Sequence, residues 1–139
     1  MPKLKTGVIR QKVLIPKSTP EAVYRALLSS KEHGEFTGSP AKVNGRAGAK
    51  FTAWDGYISG KNVSLTQNKK IEQEWQTSEF PEGYGPSILR ISLKKKGDGT
   101  ELTMFQSKVP ASQVKRYDEG WHDSYWNPMK EYFENRSKK

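Results

Sequence analysis

Apolar and polar positions alternate from residue 7 to residue 15, with Ile9, Gln11, Val13 and Ile15 on one side. That period of two predicts a first strand. Pro16-Lys17 closes it. Ser18-Thr19-Pro20-Glu21 then supplies a hydroxyl cap, an early proline and a Glu three residues after Ser18, which predicts a helix start. Val23, Tyr24, Leu27 and Leu28 form its apolar stripe, and 29–34 predicts a short second helix ending at Gly34. From residue 40 onward, turn signals recur at Asn44-Gly45, Asp55-Gly56, Gln67-Asn68, Pro81–Gly85 and Gly97-Asp98-Gly99. Intervals of about 11–15 residues predict an antiparallel meander of about six strands. Inward faces are predicted for Phe51 and Ala53, for Ile71, Gln73 and Trp75, for Leu89, Ile91 and Leu93, and for Leu102, Met104 and Gln106. Glu72, Glu74, Arg90 and Ser92 fall on the opposite, wet face.

After Val109-Pro110 the period changes to 3.6. Trp121, Tyr125, Met129 and Tyr132 recur at i, i+4, i+8 and i+11, flanked by Tyr117, Trp126 and Phe133, and predict an amphipathic C-terminal helix. Pro128 lies inside it and kinks it at a cost on the order of 3 kcal/mol. Burial of the stripe returns roughly 1.5–3 kcal/mol per residue, so the helix survives. The tail 134–139 is expected to fray. The order strand, helix, helix, meander, long helix gives a single α+β domain over residues 1–139. Its curved sheet has one wet face, and the long helix covers the other.

Composition sharpens this picture. Leu, Ile, Val and Phe make up just under a fifth of the 139 residues, and the net charge is +9. Four Trp, six Tyr and three Met make up for the thin aliphatic supply. The expected interior is aromatic-rich and incompletely filled. Cysteine is absent, which removes disulfides, thiolate nucleophiles and Cys-based metal sites. The start Met1-Pro2-Lys3-Leu4-Lys5 lacks the apolar core of a signal peptide, and no apolar run is long enough to span a membrane. A cytoplasmic protein is the expectation. The bases are spread over 1–17, 36–70 and 90–116 rather than gathered on one element, so a nucleic-acid role is disfavoured.

Candidate chemistry is sparse. His33 lies beside Glu32 and Glu35, and His122 near Asp118 and Asp123, too few ligands in either place for a metal site. A solvated helix surface is the simpler reading of both. Ser124 and His122 are two apart on a helix and point apart. No nucleophile elbow or phosphate loop is present, and 81–86 lacks the Lys-Ser/Thr that a phosphate cradle needs. No catalytic residue, metal or cofactor is expected.

Phe36-Thr37-Gly38, Gly48-Ala49-Lys50-Phe51, Asp55-Gly56 with Gly60, Gln73-Glu74-Trp75, Phe80-Pro81-Glu82-Gly83, Gly99-Thr100-Glu101-Leu102, Val109-Pro110-Ala111-Ser112 and Gly120-Trp121 follow one another in a familiar order. On these the chain resembles the START-like (SRPBCC, birch-pollen-allergen-like) helix-grip superfamily. Within it, the chain is similar to the C-terminal domain of activators of the heat-shock protein 90 ATPase. The resemblance covers about residues 8–134. Two-domain activators of this kind carry a separate N-terminal domain that does much of the chaperone engagement, and the expectation for 139 residues is a domain without that partner.

The resemblance implies a helix-grip fold, no enzymatic activity, and a sheet–helix cavity for a hydrophobic small molecule. The residues placed to line it are Trp54, Trp75, Gln73, Gln106, Met104, Trp121, Tyr125, Met129 and Tyr132. A plain core is the competing reading of the same residues. Buried Gln73 and Gln106 must find hydrogen bonds, which a ligand or trapped water would supply. The alternative is a co-chaperone that docks on a chaperone or other acidic protein through its basic surface, with Lys94, Lys95 and Lys96 at a hairpin tip as candidates.

Overall fold

The computed structural model describes residues 5–137. The readings of Met1–Leu4 and of Lys138 and Lys139 lie outside the described residues. Strand β1, Thr6–Ile15, buries Ile9, Gln11, Val13 and Ile15, as its alternation requires. The Ser18 hydroxyl turns back to donate to the Ile15 carbonyl at 2.7 Å and lies 2.9 Å from Thr100 Oγ1. The cap of α1, Pro20–Leu28, therefore falls to Thr19, whose Oγ1 accepts from the Ala22 N–H at 3.1 Å. Ser29 caps α2, Ser30–Thr37, by accepting from the Glu32 N–H. This helix runs through Gly34, its expected stop. It ends at Gly38, whose φ of 79° and N–H bond to the Gly34 carbonyl make a left-handed C-cap.

Strands β2 (Lys50–Ala53), β3 (Ile58–Thr66), β4 (Lys70–Thr77), β5 (Ser87–Lys96) and β6 (Gly99–Pro110) form the meander. These five, with β1 paired to β6, complete a six-stranded antiparallel sheet in the order β1-β6-β5-β4-β3-β2. Asp55-Gly56 turns β2 into β3, and Gly97-Asp98 turns β5 into β6. Asn44-Gly45 does not form a hairpin. The stretch 38–49 is irregular and meets the sheet at an isolated bridge, Lys42 to Thr52, and through backbone bonds of Gly48 and Ala49 to Asn62. Its Asn44 and Arg46 carbonyls instead accept from buried Asn62 Nδ2 at 2.9 and 3.0 Å. Gly60 sits opposite Phe51 and Trp75. A Cβ there would lie 1.9 Å from the Glu74 carbonyl oxygen, so the strands approach this closely only at glycine.

The long helix is continuous from 114 to 137 in three parts: α3 (Val114–Trp121), a π segment (His122–Trp126) and α4 (Asn127–Ser137). The Asn127 N–H bonds to the His122 carbonyl, five residues back. Pro128, which offers no N–H, follows at once, so the kink expected at Pro128 takes the form of a π turn. The turn solves a packing problem. Tyr117, Trp121, Tyr125, Met129 and Phe133 are all buried at a strict spacing of four. Each such step overshoots a full α-helical turn by about 40°, or about 160° over the run. One extra residue takes back about 100° and keeps the stripe on the sheet. The same turn stacks Trp121 on Trp126 at 5.3 Å and 14°. Phe133 thus joins the core, while Tyr132, expected on the stripe, lies at its half-buried edge.

Candidate functional site

The space beneath the helix is nearly filled. A void of about 20 Å³ remains among Leu27, His33, Gln73, Trp75, Trp121 and Tyr125, room for about one water. The inward glutamines find protein partners rather than a ligand. Gln73 Nε2 donates to Asn62 Oδ1 at 2.9 Å. Gln106 Nε2 donates to Ser87 Oγ at 3.0 Å, and its Oε1 accepts from Trp121 Nε1 at 2.9 Å. Gln11 Oε1 accepts from Trp126 Nε1 at 2.6 Å, and its Nε2 donates to the Asp118 carbonyl and carboxylate at 2.8 Å each. Met104 and Met129 are fully packed, with 1% and 0% exposure. Trp54, Trp75, Trp121 and Tyr125 come together elsewhere.

Those four line a pocket of about 230 Å³ at the end of the sheet–helix interface. Tyr57, Ile58 and Tyr117 complete its apolar wall, and Arg116, Gly120 and Ser124 lie along the helix side. Gln106, Met104, Met129 and Tyr132 do not reach it, and Gln73 touches only the small inner void. Trp75 meets Tyr117 edge-on at 5.5 Å, and Trp121 lies 5.4 Å from Trp75 and 4.9 Å from Tyr125. Trp54 enters from the β2–β3 turn with φ of 52°, followed by Asp55 at 56°, a conformation that bulky side chains seldom adopt. Its indole N–H is buried without a hydrogen-bond partner, the single such side-chain atom among the described residues.

Behind the pocket lies a residue misread as surface. His33 is buried, 6% exposed, because α2 turns it toward the π segment. Its two ring nitrogens lie 3.1 Å from the Leu27 carbonyl and 3.0 Å from the Tyr125 hydroxyl. Burial lowers its pKa, so the ring is neutral: Nδ1–H donates to Leu27 and Nε2 accepts the Tyr125 proton. Burial likewise raises the pKa of Tyr125. At the pocket rim the Tyr57 hydroxyl donates to Glu79 at 2.7 Å, and burial with that contact pushes its pKa up to about 12. Glu79 also pairs with Arg116 at 2.6 Å. The signal for His33 was its place on the apolar side of α2 with Phe36, 5.2 Å away.

Lys94, Lys95 and Lys96 are exposed at the β5–β6 tip but do not act together. Alternation sends Lys95 to the helix side, into an open polar depression shared with Lys17, Arg25 and Arg136. Lys94 and Lys96 go to the outer face, where Lys96 pairs with Glu101 at 3.1 Å. The outer face carries further bases in register: Lys12 beside Thr103, then Ser92 and Lys70, and Arg10 beside Phe105, then Arg90. The Arg10 guanidinium lies 5.2 Å over the Phe105 ring. No helix among the described residues is long and apolar enough to cross a membrane, and no group of three metal-ligating side chains occurs among them.

Known proteins place this geometry. The human activator of 90 kDa heat shock protein ATPase homolog 1 is 32% identical over 116 residues, 84% of this chain and 34% of the human protein. The chain spans about a third of the length of the curated relatives it matches. The structure of an HSP90 activator from Plasmodium falciparum superimposes with a TM-score of 0.76 at 20% identity, over 89% of this chain and 92% of that one. The Bet v 1-like allergen Ara h 8.0201 does so with a TM-score of 0.74 at 9% identity, over 94% and 99%, which supports the helix-grip fold. A family model described as Activator of Hsp90 ATPase homolog 1-like protein matches residues 17–134, and the chain belongs to that family.

Proposed function

We propose that this is a non-catalytic, chaperone-docking domain that meets an acidic surface of a heat-shock protein 90 through the outer face of its sheet. The observation that carries this reading is the filled interior. With about 20 Å³ left beneath Trp121 and Tyr125, an enclosed ligand has no room, and the working features lie on the surface. Family membership points the same way. Exposed Arg10, Lys12, Lys70 and Lys94 in adjacent strands, with Arg90 paired to Glu72 at 3.5 Å among them, supply a net cationic face that steers an acidic partner and is weakened by salt. Calorimetry with purified heat-shock protein 90 is expected to show binding at ~50 mM salt, and binding weaker by about tenfold or more when Lys12, Arg90 and Lys94 are changed to Glu. Undetectable binding at low salt, or an unchanged affinity in the variant, overturns the reading.

A second reading keeps the small molecule but moves it. The aromatic pocket of about 230 Å³ beside the π segment supports binding of a compact apolar ligand at the mouth of the interface, not within it. Native mass spectrometry of the protein from its source tests this through a co-purifying small molecule.

A further inference from the structure

One edge of the sheet is covered and the other is open. We propose that the open edge, β1, takes an extended acidic segment of a partner polypeptide as a seventh strand. This deepens the docking reading above, on which it rests for an acidic partner, by naming where and in what form that partner is held.

The two edges differ. β2 has four residues, and Lys42 covers its free side by exchanging two backbone bonds of 2.9 Å with Thr52. β1 has ten residues, pairs with β6 alone and ends the strand order. The register fixes which of its backbone groups are free. The two-residue turn Gly97-Asp98 closes on Lys96 and Gly99, and the bond across such a turn makes this a hydrogen-bonded pair. Bonded and non-bonded pairs alternate from there. Glu101, Thr103 and Phe105 therefore bond toward β5, and their partners in β1, Leu14, Lys12 and Arg10, turn N–H and C=O away from the sheet. The Leu93 N–H, in the other phase, bonds to the Lys69 carbonyl on the β4 side at 2.8 Å, as this alternation requires. No backbone group outside the sheet bonds to the Arg10, Lys12 or Leu14 backbone among the described residues.

Side chains select the guest. Arg10, Lys12 and Leu14 stand exposed along β1, and Val8 does so at the bulge between Gly7 and Ile9. Val8 and Leu14, 45% and 44% exposed, are two of the three exposed large apolar residues among those described. Two cations thus lie between two apolar ends beside an unpaired backbone. A matching strand carries acidic residues opposite Arg10 and Lys12 and apolar residues toward Val8 and Leu14. The same charges disfavour a second copy of the chain. Antiparallel β1–β1 pairing that sets Val8 against Leu14 also sets Arg10 against Lys12, and like charges directly opposite one another are destabilising.

The test uses the whole chain, labelled with ¹⁵N at ~50 mM salt, and the capped peptide Thr-Val-Thr-Glu-Thr-Glu-Thr-Val-Thr. Saturable binding is expected, with slower hydrogen exchange at the amides of Arg10, Lys12 and Leu14. Methylating the backbone nitrogens of the two Glu, which face β1 in this register, should weaken binding by about tenfold or more, and methylating those of the Thr after each Glu, which face away, by less than about twofold. Leu14→Pro removes an outward N–H and no bond within the sheet, and should weaken the peptide by a similar tenfold or so. Equal effects of the two methylated peptides overturn strand addition and leave a contact by charge alone, so the docking reading stands. Failure of the peptide to bind also overturns the proposal, whereas failure of heat-shock protein 90 to bind in the calorimetry above overturns the docking reading. Protection of these amides before peptide is added overturns the proposal in favour of a second copy on the edge. The methylated peptides act on the unaltered protein and decide the case even if Leu14→Pro folds poorly.

Discussion

Replacing Gln106 with Leu isolates what holds the helix against the sheet. Gln106 has no exposure, so its amide can be satisfied only by protein. Leucine of similar size removes two hydrogen bonds, from Trp121 Nε1 at 2.9 Å and to Ser87 Oγ at 3.0 Å. The Ser87 hydroxyl still donates to the Trp75 carbonyl at 2.6 Å, so only its acceptor role is lost. The Trp121 N–H is stranded between sheet and helix, and a buried unpaired donor costs about 1–3 kcal/mol beyond the bond itself. The sum is about 2–4 kcal/mol, or roughly 8–16 °C in Tm at about 4 °C per kcal/mol for a domain of this size. Chemical denaturation and calorimetry of Gln106→Leu, Trp121→Phe and the double variant supply the check. The double variant removes donor and acceptor together, so its loss should fall short of the sum of the singles by about 1–2 kcal/mol. A loss below about 0.5 kcal/mol in Gln106→Leu, or additive singles, refutes the account of a structural Gln–indole bond.

Two further perturbations probe the same framework. His33 is held neutral by burial, with its pKa lowered, so the folded state binds its proton less readily than the unfolded chain. Stability should be complete above a pH of about 6.5 and should fall as pH drops below that value toward the folded pKa. His33→Gln should lose that slope, and an identical pH profile for the variant from denaturation midpoints would remove His33 as its source. Gly60→Ala places a Cβ 1.9 Å from the Glu74 carbonyl oxygen and 2.8 Å from the Phe51 ring. Backbone must move, so a loss above about 3 kcal/mol is expected. A Tm within about 2 °C of the parent would show that the sheet relaxes freely there.

The fold was legible because its signals are periodic and local. Strand faces followed from alternation in β1, β4, β5 and β6, and the α1 start from a cap and a proline. The misreadings share a cause, which is tertiary demand on local preference. Asn44-Gly45 reads as a hairpin dipeptide, yet Asn62, eighteen residues on, holds its carbonyl and keeps the loop open. Gly34 reads as a helix stop, but burying His33 and Phe36 carries α2 to Gly38. Trp54, Trp75, Trp121 and Tyr125 meet at one pocket because aromatic residues near turns and on inward faces converge at the end of the sheet–helix interface. Gln73 and Gln106 bond to Asn62, Ser87 and Trp121, because sequence shows that a buried amide needs partners and not which partners it finds. The spacing of four from Tyr117 to Phe133 was the visible trace of the π turn. A straight α-helix would carry that stripe about 160° around its axis, so the turn was implied before Pro128 is considered.

These pairings also explain why the space between sheet and helix is filled. Two inward glutamines of the sheet, Gln11 and Gln106, accept from two indoles of the helix, Trp126 and Trp121, on either side of the π turn. Each bond has one geometry that satisfies it, and the two indoles stack on each other at 5.3 Å. An apolar interface of similar volume would let the helix slide or rotate at little cost, because hydrophobic contact is not directional. Two buried donors that must both meet their acceptors allow one rotation and one height. That constraint presses both indoles into the space between sheet and helix and fixes how the helix seats on the sheet.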